Sequence, residues 1–429
     1  MISSHWLTHS VWPSESQRLL LRAVTVPDAA FPEAWQHWRA TMDLALMNQG
    51  ESRLLPLLYR RLVQAGIEDP VLPRFKGVYR NGWVSNQRVF QQIGPTCAVL
   101  QEAGIPYLIL KGAALAHSVY PDPAWRPMDD FDVLVKPADV MKSLDVLKSL
   151  HWEKKHGEPV LEGNYRFRHE AALENNSGVE LDLHWRIFVA APLDAGDAPW
   201  WDHPAQVEIR GESHPTLTPT LHLLHAIRHG LARTQISSLR WAVDACYLIR
   251  QNAETLDWPS LVSEARRLRA IPAVRDGLAY LTRELDLPIP IAVLEELASL
   301  PISPAEQRSH SFWTGAMQRP QYLRFFHEMC RCHYQWIQPW NLPARALCIA
   351  RHMQWQQQAS TLSGGVLRWL GWSTGIAWEH HLRRPLRHWW KPRWHHLRQS
   401  TRRTWKRKRD NFRRKMAKNV SRLTRLIRK

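Results

Sequence analysis

The chain has 429 residues, of which 45% are hydrophobic, so we expect two or three globular domains rather than one core or a disordered chain. Five scattered cysteines make a disulfide framework improbable, and no apolar run approaches the length of a membrane span. The net charge of +18 is concentrated at one end: residues 380–429 contain 20 Lys and Arg against one acid and carry +19, so the remaining chain is close to neutral.

The first hundred residues have the hydrophobic spacing of helices. The pattern predicts a helical arm over residues 1–103, followed by a different kind of segment at Gly104. Three helices are predicted in this arm, over residues 32–48, 54–65 and 79–103, and the third is expected to be interrupted at Gly94-Pro95.

Two short strands are predicted on either side of a Pro-rich loop. The apolar run 107–110 predicts the first strand, residues 113–120 a helix, and residues 130–135 the second strand. Because side chains alternate along a strand, Asp130 and Asp132 should share one face, with the apolar residues between them in the core. Two adjacent carboxylates repel each other, so we expect a divalent metal ion between them.

A hairpin is predicted next, from strands at residues 165–173 and 179–185 joined by a turn at 175–178. Its second strand carries Glu180 and Asp182 on one face, and either could supply a third carboxylate. Helices are then predicted over residues 218–343, including a capping box that begins at Ser303. We assign residues 216–345 to a helical domain.

Several of these residues, taken together, resemble a known family. The motifs are Leu110-Lys111-Gly112, Tyr120-Pro121-Asp122, Arg126-Pro127 and the Asp-x-Asp-x-Leu-Val of residues 130–135. They resemble the uncharacterised nucleotidyltransferases of the DNA-polymerase-β-like superfold, which usually has Gly-Ser in place of Lys111-Gly112. The resemblance implies an α+β fold, with a small mixed nucleotidyltransferase sheet and helices at residues 104–215, flanked by helical N- and C-terminal regions.

The resemblance also implies a reaction. A nucleoside monophosphate would pass from an NTP to an acceptor hydroxyl, with Mg²⁺ or Mn²⁺ as cofactor. The metal would be held by Asp130, Asp132 and Asp182, and the phosphates would be received by Lys111 and Gly112. Asp182 is preferred to Glu180 because it lies closer to the Leu-His-Trp that resembles the family. The acceptor is not identified by any motif.

The roles of some nearby side chains are open from the sequence. Arg126 could contact a phosphate as a bidentate donor, or it could form an ion pair with Asp129 or Asp122. Three histidines could line the cleft, but a histidine on an apolar face is more often packed and hydrogen-bonded, and we expect that role here. They are His184, His225 and His229.

The C-terminal extension, residues 346–429, is rich in Trp and strongly basic. Apolar residues recur at steps of three and four from Leu397 to Ile427, which predicts a basic helix with one apolar stripe. Such a helix could bind an anionic membrane surface or nucleic acid. The alternative function is therefore a catalytically weak scaffold that acts through this tail. We expect a cytoplasmic location, or a peripheral one at the inner membrane surface if the tail binds lipid.

Deleting residues 380–429 should leave a folded, near-neutral core that still binds NTP, because the basic charge lies almost wholly in the deleted part. The full chain should bind anionic vesicles or RNA less tightly as salt rises, since screening acts over about 8–10 Å near physiological ionic strength. A salt series with both partners, read by co-sedimentation and Trp fluorescence, separates lipid from RNA binding. No binding to either at low salt would contradict the anchor role.

Overall fold

The computed structural model describes residues 11–155, 160, 169–188, 199–231 and 239–314. All of them belong to the first of two compact units, which spans residues 1–368. The predicted basic tail lies outside the described residues. None of the described helices combines the length and the apolar character needed to cross a bilayer.

A mixed sheet of seven strands organises the described residues. The strands are β1 Tyr107–Leu110, β2 Asp130–Val135, β3 Glu153–Lys154, β4 Glu170–Glu174, β5 Glu180–His184, β6 Ala205–Ile209 and β7 Glu212–Thr216. Their order is β3-β4-β5-β2-β1-β7-β6. The central strand β2 pairs antiparallel with β1 and parallel with β5. The α+β class and the mixed sheet are as the sequence predicted.

Thirteen helices are described around the sheet. They are α1 Glu15–Thr25, α2 Phe31–Thr41, α3 Gln49–Ser52, α4 Leu55–Gln64, α5 Leu72–Glu102, α6 Lys111–Ser118, α7 Val140–Val146, α8 Pro219–Gly230, α9 Arg240–Gln251, α10 Trp258–Arg267, α11 Ile271–Leu285, α12 Ile291–Ser299 and α13 Pro304–Thr314.

The core has two parts. One face of the sheet buries Phe131, Val133 and Val135 against α5, as strand alternation predicted. The second cluster joins the helices before the sheet to those after it, with Leu21 of α1 and Leu248 of α9 in the same apolar group. The predicted arm 1–103 and helical domain 216–345 therefore share a core, while the predicted domain boundaries stay predictions.

Three predicted helices differ from the observed ones. The helix expected over 32–48 ends at Thr41, because Asn48 instead caps the next helix through a capping box with Glu51. The helix α5 continues through Pro95, since its buried residues pack against the sheet on both sides of the proline. The helix α6 begins at Lys111, directly after β1, rather than at residue 113.

A buried ion pair connects the Pro-rich loop to α9. Arg126 donates from Nε to Asp244 Oδ1 and from Nη2 to Asp244 Oδ2, both at 2.8 Å. The hydroxyl of Tyr120 donates to Asp244 Oδ1 at 2.6 Å. The partner of Arg126 is thus neither of the predicted carboxylates, because Asp129 pairs with Arg53 and Asp122 caps the short turn at Ala124.

We expect Asp244→Ala to lower the free energy of unfolding by about 3–5 kcal/mol, because it leaves the Arg126 guanidinium buried and uncompensated. Urea unfolding measures this change. Asp145→Ala is the matched control, since it breaks an exposed pair with Lys148 that should contribute at most about 1 kcal/mol. Equal losses in the two variants would contradict a structural role for the buried pair.

Candidate active site

Strand register brings the acidic residues together on one face of the sheet. In the β2–β5 pair, Asp132 lies opposite Asp182 and Asp130 opposite Glu180. In the β4–β5 pair, Glu170 lies opposite His184. Because alternate residues of a strand share a face, these side chains form one acidic group with a histidine in it. The sequence predicted the three aspartates but not Glu170.

Lys111 places its ammonium within this acidic group. Its Nζ lies 2.7 Å from Asp132 Oδ1 and 3.4 Å from His184 Nε2, and its side chain is only 19% exposed. Lys111 also has a φ of 44°, a left-handed conformation that costs a residue with a Cβ about 1–2 kcal/mol. This ammonium was expected at a phosphate, whereas it lies beside a carboxylate in the structure.

His184 and His169 contribute imidazoles to the same face. His184 is 2% exposed, and its Nε2 lies 3.0 Å from Asp132 Oδ1 and 3.4 Å from Glu170 Oε2. His169 Nε2 lies 3.1 Å from Glu170 Oε2. His184 was expected to be packed and hydrogen-bonded, and it is buried within hydrogen-bonding distance of Asp132. Strand alternation also puts it on the face of Asp182. His225, by contrast, is buried against the ring of Phe188, as expected.

The charges of the group shift its pKa values in opposite directions. Burial, with the negative charges of Glu170, Asp132 and Asp130, raises the pKa of Asp182 to about 9. Burial and the charge of Asp132 raise the pKa of Asp130. Burial would also raise the pKa of Asp132, but Lys111 and His184 hold it well below its ordinary value. The described residues thus supply too little positive charge to keep all three aspartates ionised.

The donor atoms fit a divalent cation. Ligand atoms of Asp132, Asp182 and His184 lie within 4.8 Å of one another, and so do those of His169, Glu170 and His184. Carboxylate oxygens suit Mg²⁺, and a mixed set with imidazole also suits Mn²⁺. Asp130 shares the strand face of Asp132 but is in neither set.

Glu180 is engaged elsewhere. Its carboxylate forms an ion pair with Lys155, which also lies 3.7 Å from Glu174. This pairing leaves Asp182 as the carboxylate of β5 that faces Asp132 without a lysine of its own. The preference for Asp182 over Glu180 as the third carboxylate stays a prediction.

Gly112 and Arg126 meet beside the N-terminus of α6. A Cβ added at Gly112 would lie 3.0 Å from Arg126 Nη1. This Nη1 is buried and has no hydrogen-bond partner among the described residues, although the other two nitrogens of the guanidinium bind Asp244. A free donor beside the first N–H groups of a helix favours an anion.

We expect opposite stability changes from two isosteric substitutions, measured by urea unfolding in the presence of a chelator. Asp182→Asn should raise the free energy of unfolding at pH 7–8 by at least about 1 kcal/mol, since one pKa unit corresponds to about 1.4 kcal/mol. Asp132→Asn should lower it, by about 3–5 kcal/mol, because it leaves the Lys111 ammonium buried without its carboxylate.

The pH dependence of these changes differs in sign. A carboxyl whose pKa is raised by folding destabilises the fold as pH rises from its unfolded pKa, near 4, towards its folded pKa, about 9 for Asp182. The benefit of Asp182→Asn should therefore disappear near pH 4. The pKa of Asp132 is lowered by folding, so the loss in Asp132→Asn should be full above pH 4 and shrink under acid. Parallel curves would contradict this electrostatic account.

Comparisons with known proteins agree with the motifs. No curated protein matches the chain significantly. Two solved structures share 15% identity with it: the antibiotic-resistance factor ANT(2'')-Ia, and an antigenic nucleotidyltransferase-like protein from Paracoccidioides brasiliensis. The matches cover 46% and 51% of this chain and 96% and 95% of those chains, with TM-scores of 0.29 and 0.30. A family model described as "Uncharacterised nucleotidyltransferase" matches residues 37–285, so the chain belongs to this nucleotidyltransferase family and is a transferase.

Proposed function

We propose that the chain transfers a nucleoside monophosphate from an NTP to an acceptor hydroxyl with the help of Mg²⁺ or Mn²⁺. The observation that carries the proposal is the group of three aspartates on adjacent strands, whose negative charge is too great for the neighbouring cations to balance. A divalent ion would reduce the repulsion between these carboxylates, and Mg²⁺ is commonly bound by carboxylates together with the phosphates of a substrate.

Asp132 and Asp182 would hold the ion, with Asp130 beside them on the same strand face. A bound ion would offset the charge that develops on the phosphates. The mixed donor set of Asp132, Asp182 and His184 accommodates either Mg²⁺ or Mn²⁺. These three residues are proposed as the metal site, and each would supply one ligand atom.

The phosphates would lie at the N-terminus of α6. Gly112 allows the backbone to approach Arg126 closely, since an added Cβ would lie 3.0 Å from Nη1, and this nitrogen has no hydrogen-bond partner among the described residues. Asp244 holds the other side of the guanidinium in place, so the free donor points in a fixed direction. Arg126 therefore supports the fold and offers a phosphate contact at the same time.

The reaction would form a bond from the acceptor oxygen to the α-phosphorus and break the bond from that phosphorus to the bridging oxygen. Pyrophosphate would leave with the electron pair of the broken bond. The proton of the acceptor hydroxyl needs a base, and Asp182 is the candidate if it is not wholly occupied as a ligand.

The acceptor could be a sugar, another small molecule, a protein side chain or an RNA end. The experiment is to incubate the purified full chain with Mg²⁺, a cell extract and each of the four NTPs labelled in the α-phosphate, and then identify the labelled product. A parallel set labelled in the γ-phosphate distinguishes nucleotidyl transfer from phosphoryl transfer. Label retained only from the γ-position would contradict the proposal.

We expect Asp130→Asn, Asp132→Asn and Asp182→Ala each to reduce transfer at limiting Mg²⁺ by at least about 100-fold, since even residues that only support metal ligands cost about 10–100-fold in affinity or activity. Glu180→Ala is the matched control on the same strand. It should have a much smaller effect, because its carboxylate pairs with Lys155.

Kinetics of the four variants with the identified acceptor provide the measurement. Wild-type rates in both β2 variants would show that the metal assignment is wrong. A larger loss in Glu180→Ala than in Asp182→Ala would move the third role to Glu180.

A separate role for the tail rests on its charge of +19. Binding of nucleic acid or an anionic membrane surface through residues 380–429 would bring the catalytic unit to such a surface. The salt series described for the deletion variant tests this role independently of transfer.

A further inference from the structure

We infer that the Lys111 ammonium takes the place of a second divalent cation, so that this site binds one divalent ion and a lysine rather than two ions. The inference rests on the proposed metal-dependent function and specifies the number of ions. It follows from the position of Asp132, the contacts of its Oδ1 atom and the way in which Lys111 is held.

Asp132 is the carboxylate that two ions would have to share. Paired divalent ions in phosphoryl-transfer sites lie about 3.5–4 Å apart, so a bridging carboxylate offers one oxygen to each. Among the three aspartates, Asp132 alone is adjacent to both others, with Asp130 two residues away on β2 and Asp182 directly opposite on β5. A second ion held by these aspartates would therefore need both oxygens of Asp132.

One of these oxygens is already occupied. Oδ1 of Asp132 accepts a hydrogen bond from Lys111 Nζ at 2.7 Å and lies 3.0 Å from His184 Nε2. The hydrogen bond from Lys111 uses one of the two lone pairs of Oδ1, and the His184 ring nitrogen lies close to the other. Oδ2 is then the oxygen of Asp132 that is left for a divalent ion.

The backbone holds Lys111 in this position. Leu110, the residue before it, pairs with Asp132 across the β1–β2 ladder, so the lysine starts beside its partner. Lys111 has a φ of 44°, and helix α6 begins at this residue, directly after β1. Strained backbone conformations persist only where the surrounding structure holds them. They are found most often at functional sites.

The charges of the three aspartates balance with one ion, because one ammonium and one divalent ion supply three positive charges. Glu170 adds a further negative charge, which lies beside the imidazoles of His169 and His184 at 3.1 and 3.4 Å. A second divalent ion would lie beside the buried ammonium, and the two positive charges would repel each other at short range.

The test counts bound Mn²⁺ on the full chain. The protein is titrated with Mn²⁺ in the presence of saturating NTP analogues in which a methylene group replaces the α–β bridging oxygen, one analogue for each base. Electron paramagnetic resonance reports the bound ions per chain and detects spin coupling between neighbouring ions. We expect one bound Mn²⁺ per chain and no spin-coupled pair.

Substitutions at Lys111 make the test specific. Lys111→Met removes the charge at similar length, and Lys111→Gly removes it while also suiting the positive φ, so at least one of them should fold. Both should bind two Mn²⁺ with spin coupling. Lys111→Arg keeps the charge and should still bind one. Lys148→Met, which removes an exposed lysine on another element, is the control and should match the wild type.

The outcomes separate the inference from the proposed function. A spin-coupled pair in the wild type would overturn the inference and leave the metal-dependent function standing. One ion in both the wild type and the folded Lys111 variants would overturn it as well, because the lysine would then exclude nothing. No Mn²⁺ bound by the wild type with any of the four analogues would instead overturn the proposed metal dependence itself.

Discussion

The buried pair of Lys111 and Asp132 is the interaction on which the arrangement of this site depends. An ammonium and a carboxylate removed from water are each unfavourable alone, and at 2.7 Å each offsets part of the cost of burying the other. The pair also sets geometry, because Asp132 faces Leu110 on β1 and Asp182 on β5. Three strands and the start of α6 therefore meet at one pair of charges.

A second buried pair extends the site beyond the sheet. Arg126 binds Asp244 of α9 with two nitrogens and leaves the third beside Gly112. The acidic side of the site is thus built from strands, while the proposed phosphate contact depends on a helix that follows the sheet. The family match, over residues 37–285, includes both the strands and this helix.

Strand alternation was sufficient to predict the shared face of Asp130 and Asp132 and the hairpin that carries Asp182. Glu170 was not predicted, although it lies in the first strand of the predicted hairpin, because the sequence did not specify the register that places it opposite His184. The partner of Lys111 was missed for a related reason: its position depends on a positive φ and on ladder register, and neither is visible in a motif. Pro95 was misjudged because tertiary packing outweighed the local effect of a proline in α5.

Three arginines, Arg53, Arg126 and Arg240, lie close to one another around the Pro-rich loop. Burial and the nearby charges of Arg126 and Arg53 lower the pKa of Arg240 to about 10. Arg240 donates to the carbonyl of Pro127 at 2.5 Å, so it is held at this loop despite the repulsion. In the proposed reaction, a lysine among the aspartates would supply less positive charge to a triphosphate than a second divalent ion would. Arg126 and Arg53 are paired with Asp244 and Asp129, so Arg240 is the guanidinium of this loop that would add positive charge for such a ligand.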